Sequence, residues 1–177
     1  AHALNRLANG KDLDLVIAAG TWAGQDLATK IHDVPIIVIS ASNPVQSRII
    51  KSVEDPGFDH VFAKVDPERY LRQLRLFHSL TKFKKLGVIY EDTIEGRSYA
   101  AIDEIYTVAK ERGFQVINKE SNFSDENLEE IKKVTLEMVN ELAPKIDAFY
   151  ITDHRGQTLE QMKVFLEPLH RHKVRTW

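Results

Sequence analysis

The 177-residue chain carries 24 Lys and Arg residues against 26 Asp and Glu residues, and 43% of its residues are hydrophobic. This composition is typical of a folded globular protein, and a formal net charge of -2 gives no reason to expect a nucleic-acid partner. The absence of cysteine excludes disulfides, thiolate catalysis and cysteine-ligated zinc.

The first part of the chain predicts alternating helices and strands. Leu4 and Leu7 indicate the end of a helix before Gly10. The apolar run 13–19 is typical of a strand buried on both faces, and a helix follows over 22–31. The pattern then predicts a strand over 35–40, a short helix over 43–51, an alternating strand over 58–65 and a helix from Pro67 to Leu80 with Leu71, Leu74 and Phe77 on one face.

The second part continues the alternation. A buried strand is predicted over 84–90, followed by a helix over 98–112 with its apolar face at Ile102, Ile105 and Ala109. A strand over 114–120 precedes a helix capped by Ser124, with an apolar stripe at Leu128, Ile131, Met138 and Leu142. The remaining elements are a strand over 146–152, a helix over 159–170 and the start of a strand over 173–177.

Strands that alternate with helices predict an α/β fold with parallel sheets flanked by helices. We expect part of an N-terminal α/β lobe over 1–66, an inter-lobe helix and connection over 67–83, and a C-terminal α/β lobe over 84–177. Two or three parallel strands are few for an independent sheet, and the last residues resemble the opening of a strand. We therefore expect both lobes to be incomplete and the chain to be a fragment.

Candidate functional residues follow the carboxyl ends of four predicted strands, where open parallel sheets bind ligands. We call these segments the first to fourth corners: residues 18–25, 39–46, 89–99 and 151–158. The candidate ligand-binding residues are Thr21, Trp22, Ser40, Ser42, Asn43, Tyr90, Glu91, Asp92, Ser98, Tyr99, Asp153 and His154. Ser, Thr, Asn and Asp also cap helices, and a Trp at a helix start also covers sheet edges. Both interpretations stay open at this stage.

Enzymatic motifs are missing from the sequence. No dinucleotide-binding glycine fingerprint, phosphate-binding P-loop or nucleophile elbow occurs. Asp153 and His154 are adjacent on one loop, and His170 and His172 are two residues apart at a helix end, where they do not share a face. We therefore expect no catalytic residue, no metal and no cofactor.

The corner motifs together carry a resemblance. Four short motifs occur in order from about Leu13 onward. They are Gly20, Thr21 and Ala23 after the first strand, Asn43-Pro44-Val45 after the second, Gly87 to Tyr90 in the third, and Asp153-His154 after the fourth. In this, the chain resembles the substrate-binding proteins of one bacterial ABC transporter family. That family has the type I periplasmic-binding-protein fold and includes binders of aromatic amino acids.

The resemblance implies two Rossmann-like lobes that close on a small molecule in the cleft between them. It implies an extracytoplasmic solute-binding protein, periplasmic or membrane-anchored, whose partners are a small-molecule ligand and the membrane permease of an ABC transporter or a sensor protein. Trp22, Asn43 and the acidic residues of the third corner depart from the family pattern. These departures count against an aromatic amino acid and favour a cation or an amine, with Trp22 as an aromatic wall, although Arg97 and Arg155 equally suit a carboxylate. We therefore expect an amino-acid-like or amine-containing ligand.

Two alternatives remain at this stage. The first is a ligand-sensing domain of a signalling protein or of a transcription regulator, which would have the same lobes and cleft. The second, with less support, is a small α/β enzyme, which would require a titratable pair that converges in the cleft.

Overall fold

The protein forms two compact units. The computed structural model describes Asn5, Arg6, Asn9 and residues 12–30, 33–121, 127–152 and 159–177. The chain divides into a first unit, Ala1–Pro67, and a second unit, Glu68–Trp177. Each unit contains a parallel sheet against which helices pack, which confirms the predicted α/β class. No helix within the described ranges is long and apolar enough to cross a membrane.

The first unit contains a three-stranded parallel sheet. Strands β1 (Val16–Ala19), β2 (Ile36–Ile39) and β3 (Val61–Ala63) lie in the order β1-β2-β3, and helix α1 (Thr21–Ala28) follows β1. One face of the sheet belongs to a buried cluster that includes Ala18, Ala28, Ile36, Val38 and Val61. On the opposite face Ile17 and Phe62 both align with Ile37, and their side chains are 62% and 64% exposed.

The second unit contains a four-stranded parallel sheet in the order β5-β4-β6-β7. Its strands are β4 (Lys85–Glu91), β5 (Gln115–Ser121), β6 (Ala148–Tyr150) and β7 (Arg175–Thr176). Its helices are α2 (Arg69–Thr81), α3 (Ile94–Tyr99), α4 (Ile102–Arg112), α5 (Leu128–Leu142) and α6 (Met162–Arg171), with a 3₁₀ turn over Ala143–Lys145. Helix α2 groups with this unit, and its role as an inter-lobe connection stays a prediction.

Helices cover both faces of the second sheet. Alternate side chains of a strand point to opposite faces, so β4 contributes Leu86, Val88 and Tyr90 to one core cluster and Ile89 to another. The first cluster also contains Leu74 and Phe77 of α2 and Ile105 of α4; the second contains Val139 of α5 and Phe165 of α6. Burial on both faces explains the continuous apolar run that predicted this strand.

The helix predicted over 43–51 is wrong, because this segment is a series of turns. The amide of Ser47 donates to the carbonyl oxygen of Asn43, as in a helix, but Arg48 then adopts a left-handed conformation with φ of 57°. The break allows the consecutive residues Ile49 and Ile50 both to enter the core, at 1% and 5% exposure. Burial of apolar side chains therefore overrides the local helix signal here.

The helix predicted over 98–112 is divided into α3 and α4. Ala101 has φ of 51° between them, and Ala100, Ala101 and Ile102 are all buried. Successive residues of one straight helix lie about 100° apart and do not all face one core. The predicted inward residues of α4 are nevertheless confirmed, since Ile102, Ile105 and Ala109 are buried.

Helix α5 begins later than predicted. Asn127 is its cap, and the Asn127 side chain accepts a hydrogen bond from the amide of Glu129. The proposed cap Ser124 lies outside the described residues, as do Leu4, Leu7 and Gly10. Of the predicted apolar stripe, Ile131 and Leu142 are confirmed as buried, and half-buried Met138 packs against the core. Leu128 is wrong, since it is 46% exposed, and Thr135 and Val139 complete the buried face.

The end of α2 generates a prediction about stability. Exposed Lys82 has a left-handed backbone, with φ of 53°, and its amide donates to the carbonyl oxygen of His78. We expect Lys82→Gly to raise the free energy of unfolding by about 0.5–1 kcal/mol, because glycine adopts this conformation without steric cost. Urea denaturation measures the change. Lys84→Gly, at an exposed lysine without a positive φ, is the matched control and should give no gain.

His78 generates a prediction about pH. Its ring stacks on Phe114, with centroids 5.2 Å apart, and meets the edge of Phe83 at 4.9 Å. Burial, and then the positive charges of Lys82 and Arg112, lower the pKa of His78 below its usual 6.5. The folded state therefore binds this proton more weakly than the unfolded state does. The contribution of His78 to the free energy of unfolding is therefore fully present above about pH 6.5, and it is lost as the pH falls through the lowered pKa of the folded state.

We accordingly expect the urea midpoint of the parent protein to fall between pH 7 and pH 5 more steeply than that of His78→Phe. The substitution keeps an aromatic ring and removes the titrating group. Parallel pH profiles for the two proteins would contradict this role of His78.

Candidate functional site

The first corner turns the chain sharply from β1 into α1. Gly20 has φ of 99°, a conformation that favours glycine, and its amide donates to the carbonyl oxygen of Ile39 at 2.8 Å. Thr21 is only 3% exposed, whereas Trp22 is 64% exposed. The corner therefore buries its hydroxyl side chain and presents its indole ring at the surface of the first unit.

The second corner lies beside the first. Ser40 is exposed and has φ of 58°, which is unusual for a residue other than glycine. Half-buried Asn43 accepts a hydrogen bond at Oδ1 from the amide of Gln46 at 3.1 Å. The amide of Ser42 donates to Oγ1 of Thr21 at 3.2 Å. The Thr21 hydroxyl therefore joins the two corners, and contact of Thr21, Ser42 and Asn43 with a ligand stays a prediction.

The third corner begins at a buried tyrosine in a hydrogen-bond network. Tyr90 is 2% exposed, and its hydroxyl donates to Oε1 of Glu120 on the neighbouring strand at 2.7 Å. The same oxygen accepts a second hydrogen bond from Asn118 at 3.0 Å. Burial, followed by the hydrogen bond to Glu120, raises the pKa of the Tyr90 hydroxyl to about 12. Tyr90 is therefore a neutral hydrogen-bond donor at physiological pH.

Arg97 of the third corner is engaged by acidic side chains of the same unit. Its guanidinium lies 3.2 Å from Oδ1 of Asp103 and 3.7 Å from Oδ1 of Asp92. It also lies over the ring of Tyr90, 5.7 Å from the ring centroid. Two carboxylates and an aromatic face surround this cation, so its charge is balanced by groups of the protein itself.

The remaining candidates of the third corner lie at the end of β4, in the turn that follows it and in the short helix α3. Thr93 caps this helix by accepting a hydrogen bond from the amide of Gly96 at 2.9 Å. A side chain at position 96 would clash with the carbonyl oxygen of Glu91, so glycine allows α3 to pack directly against the end of β4. In this arrangement Ser98 is 1% exposed, Glu91 and Tyr99 are half-buried, and Asp92 is exposed.

The fourth corner is described only at its first residues. Thr152 is 4% exposed, and its hydroxyl donates to the carbonyl oxygen of Ile89 at the end of β4. Asp153 and His154, the two candidates predicted here, lie outside the described residues.

Sequence reasoning missed the partners of the candidate residues. Glu120 and Asn118 lie two residues apart on β5, and Glu120 aligns with Tyr90 in the strand register. The period-two alternation of β5 was a signal that these polar side chains share a face. Gln25 of α1, which donates to the carbonyl oxygen of Ser47 at 3.1 Å, had no comparable signal. In the part of the chain that the structure describes, no three His, Asp or Glu side chains form a metal-binding group.

The chain matches known proteins over most of its length. Residues 1–160 match the family model described as ABC transporter substrate binding protein. A curated relative, a tyrosine-binding protein of Clostridioides difficile strain R20291, is 32% identical over 139 residues, which cover 78% of this chain and 37% of the relative.

Solved structures share the fold. A domain of an ABC protein from Streptococcus pneumonia in complex with L-Trp has a TM-score of 0.71 and 22% identity, and the match covers 99% of this chain and 56% of that one. The ligand-free, open structure of a substrate-binding protein with adhesive properties from Clostridium difficile has a TM-score of 0.63 and 25% identity, over 98% and 55% of the two chains. The present chain thus spans about half the length of these structures.

The network of the third corner leads to a prediction about stability. We expect Tyr90→Phe to lower the free energy of unfolding by about 1–2 kcal/mol, because it removes a buried hydrogen bond to a carboxylate. The control is Tyr106→Phe, since Tyr106 is 45% exposed and its hydroxyl donates to Asn118 at the longer distance of 3.3 Å. Its effect should stay within about 0.5 kcal/mol. Equal effects of the two substitutions on urea denaturation would contradict a special role of Tyr90.

Proposed function

The chain belongs to the ABC transporter substrate-binding protein family, and on that premise we propose that it binds an amino-acid-like or amine-containing solute at the carboxyl ends of its strands. The observation that carries the proposal is that exposed Trp22 directly follows Thr21, whose hydroxyl accepts a hydrogen bond from the amide of Ser42 in the second corner. An apolar wall beside a few fixed polar groups is the usual composition of a small-molecule site.

We propose that the side chains of the corners contact the solute directly or support those that do. In the first unit these are Thr21, Trp22, Ser40, Ser42 and Asn43, and in the second unit Tyr90, Glu91, Asp92, Ser98 and Tyr99. Asp153 and His154 complete the proposed set. The hydrogen bonds of Thr21 and Tyr90 within the protein favour a supporting role for these two residues.

The charged residues of the third corner favour a solute that carries an ammonium group. The third corner carries Glu91, Asp92 and Glu95 against one cation of the same segment, Arg97, which lies near Asp92 and Asp103. A solute carboxylate would meet net negative charge at this corner, but an ammonium group would be attracted. In the first unit, Trp22 would supply an aromatic surface for a solute. The name of the tyrosine-binding relative is consistent with a solute of this class.

The proposed role places the protein outside the cytoplasm, where it would deliver its solute to the membrane permease of an ABC transporter. It acts in this proposal as a binding protein without catalysis. Closure around the ligand is the motion expected of such proteins.

A thermal-shift screen tests the solute class. The intact protein that contains this sequence is heated with L-tyrosine, other amino acids, polyamines, sugars and nucleosides in parallel. A ligand that binds only the folded state raises the unfolding temperature, by an amount that grows with concentration over Kd. We expect amino acids or amines to do so, and a response confined to sugars or nucleosides would overturn the proposed class.

Trp22 provides a residue-level prediction. We expect Trp22→Ala to weaken binding of the solute found in the screen by about two- to tenfold, since an aromatic stacking contact is worth about 0.5–1.5 kcal/mol. Solute binding should also change the fluorescence of the parent and not that of Trp22→Phe. Phe62→Ala is the matched control, because Phe62 is equally exposed at 64% but lies within β3. Unchanged affinity in Trp22→Ala would exclude Trp22 from the site.

A further inference from the structure

Two residues with a strained backbone, one in the second corner and one just after it, enclose a short segment of the chain. Ser40 and Arg48, neither of them glycine, have φ of 58° and 57°, and the seven residues between them form the turns that follow β2. Left-handed conformations are costly for residues other than glycine, and they persist only where the surrounding structure holds them. Some contact outside this segment must therefore maintain its conformation.

Helix α1 makes contacts that stabilise this segment and the residues on either side of it. At the start of the helix, Oγ1 of Thr21 accepts a hydrogen bond from the amide of Ser42 at 3.2 Å. One turn later, Gly24 packs so closely that an added Cβ would lie 2.8 Å from side-chain atoms of both Ile49 and Val38. Beside it, Nε2 of Gln25 donates to the carbonyl oxygen of Ser47 at 3.1 Å. The helix therefore contacts the segment near its beginning and at its end, and it packs against the residues that flank the segment, Val38 and Ile49.

We infer that Gln25 is a positioning residue, which holds the second corner in the conformation that presents Ser40, Ser42 and Asn43 to the solute. The inference rests on the proposed function, because it assigns to Gln25 a role in that same site. Gln25 is half-buried on α1, and its side-chain amide donates to the backbone of the segment at the carbonyl oxygen of Ser47. It would therefore act through the corner and not by touching the solute.

The hydrogen bond of Gln25 matters because its acceptor is shielded from water. Ser47 is 2% exposed, so its carbonyl oxygen has little access to a replacement donor from solvent. Without this bond, the strained segment would populate other conformations. The apparent Kd equals the intrinsic Kd divided by the fraction of molecules in the competent conformation. Loss of the bond should therefore weaken binding without the loss of any contact to the solute.

Two substitutions at Gln25 and one matched control separate this role from simple packing. Gln25→Ala removes the side chain, whereas Gln25→Glu keeps nearly the same volume but replaces the donor by a carboxylate that repels the Ser47 carbonyl oxygen. Asp26→Asn changes the neighbouring residue of α1, whose side chain is exposed. The probe is L-tyrosine, with binding measured by calorimetry on the intact protein, and amide hydrogen exchange of residues 40–47 is followed without ligand.

We expect both Gln25 variants to raise the Kd for L-tyrosine roughly fivefold, within the range that corresponds to the loss of one hydrogen bond. The amides of Ser42, Gln46 and Ser47, which donate hydrogen bonds in the parent, should exchange at least several times faster, while those of β4 and β5 stay unchanged. Asp26→Asn should match the parent in both measurements. A Gln25→Glu variant that binds and exchanges like the parent would overturn the inference, since packing alone would then suffice.

Two further outcomes are decisive. Faster exchange with an unchanged Kd would overturn the inference, because the corner would then be held by Gln25 without any consequence for the solute. An absence of L-tyrosine binding in the parent itself counts against the proposed solute. The exchange measurement, which needs no ligand, still decides in that case whether Gln25 holds the corner.

Discussion

Parallel strand pairing is the constraint on which both units depend. In a parallel sheet all carboxyl ends lie along the same edge, and each strand must be followed by a connection that crosses back to the start of the next one. The residues that turn the chain are therefore brought together in space although they are distant in sequence. Thr21 and Ser42 illustrate this effect, since 21 residues separate them along the chain and a single hydrogen bond of 3.2 Å joins them.

The same constraint divides the polar residues of the corners into two groups. A chain that leaves a strand and enters a turn or helix exposes backbone amides that need acceptors, and the hydroxyls and amides of Thr21, Asn43 and Thr93 supply them. Those side chains stabilise the corners. The second group consists of residues whose side chains are exposed, such as Ser40 and Trp22.

The sequence predicted the fold well where burial follows a simple period. Strand β4 is buried at almost every position and was predicted within a residue or two, and the inward face of α4 followed the helical period. Prediction failed where consecutive residues enter the core, at Ile49–Ile50 and at Ala100–Ile102, because no regular helix buries neighbours on one side. For the corners, residue type identified candidates but could not separate caps from exposed groups. That distinction depends on partners such as Glu120 and Ser42, whose positions follow from strand register and loop conformation.

The third corner shows why residue type alone misjudges the chemistry of a site. From the sequence, Arg97 was expected to suit a solute carboxylate. In the folded unit, Asp103 on α4, Asp92 and the ring of Tyr90 all contact it, and this arrangement exists only because the chain bends at Ala101 between α3 and α4. In one straight helix, the side chains of Arg97 and Asp103 would point in different directions, because they are six residues apart. The bend that sequence periodicity did not predict thus brings Asp103 to Arg97, in a segment whose acidic side chains outnumber its one cation.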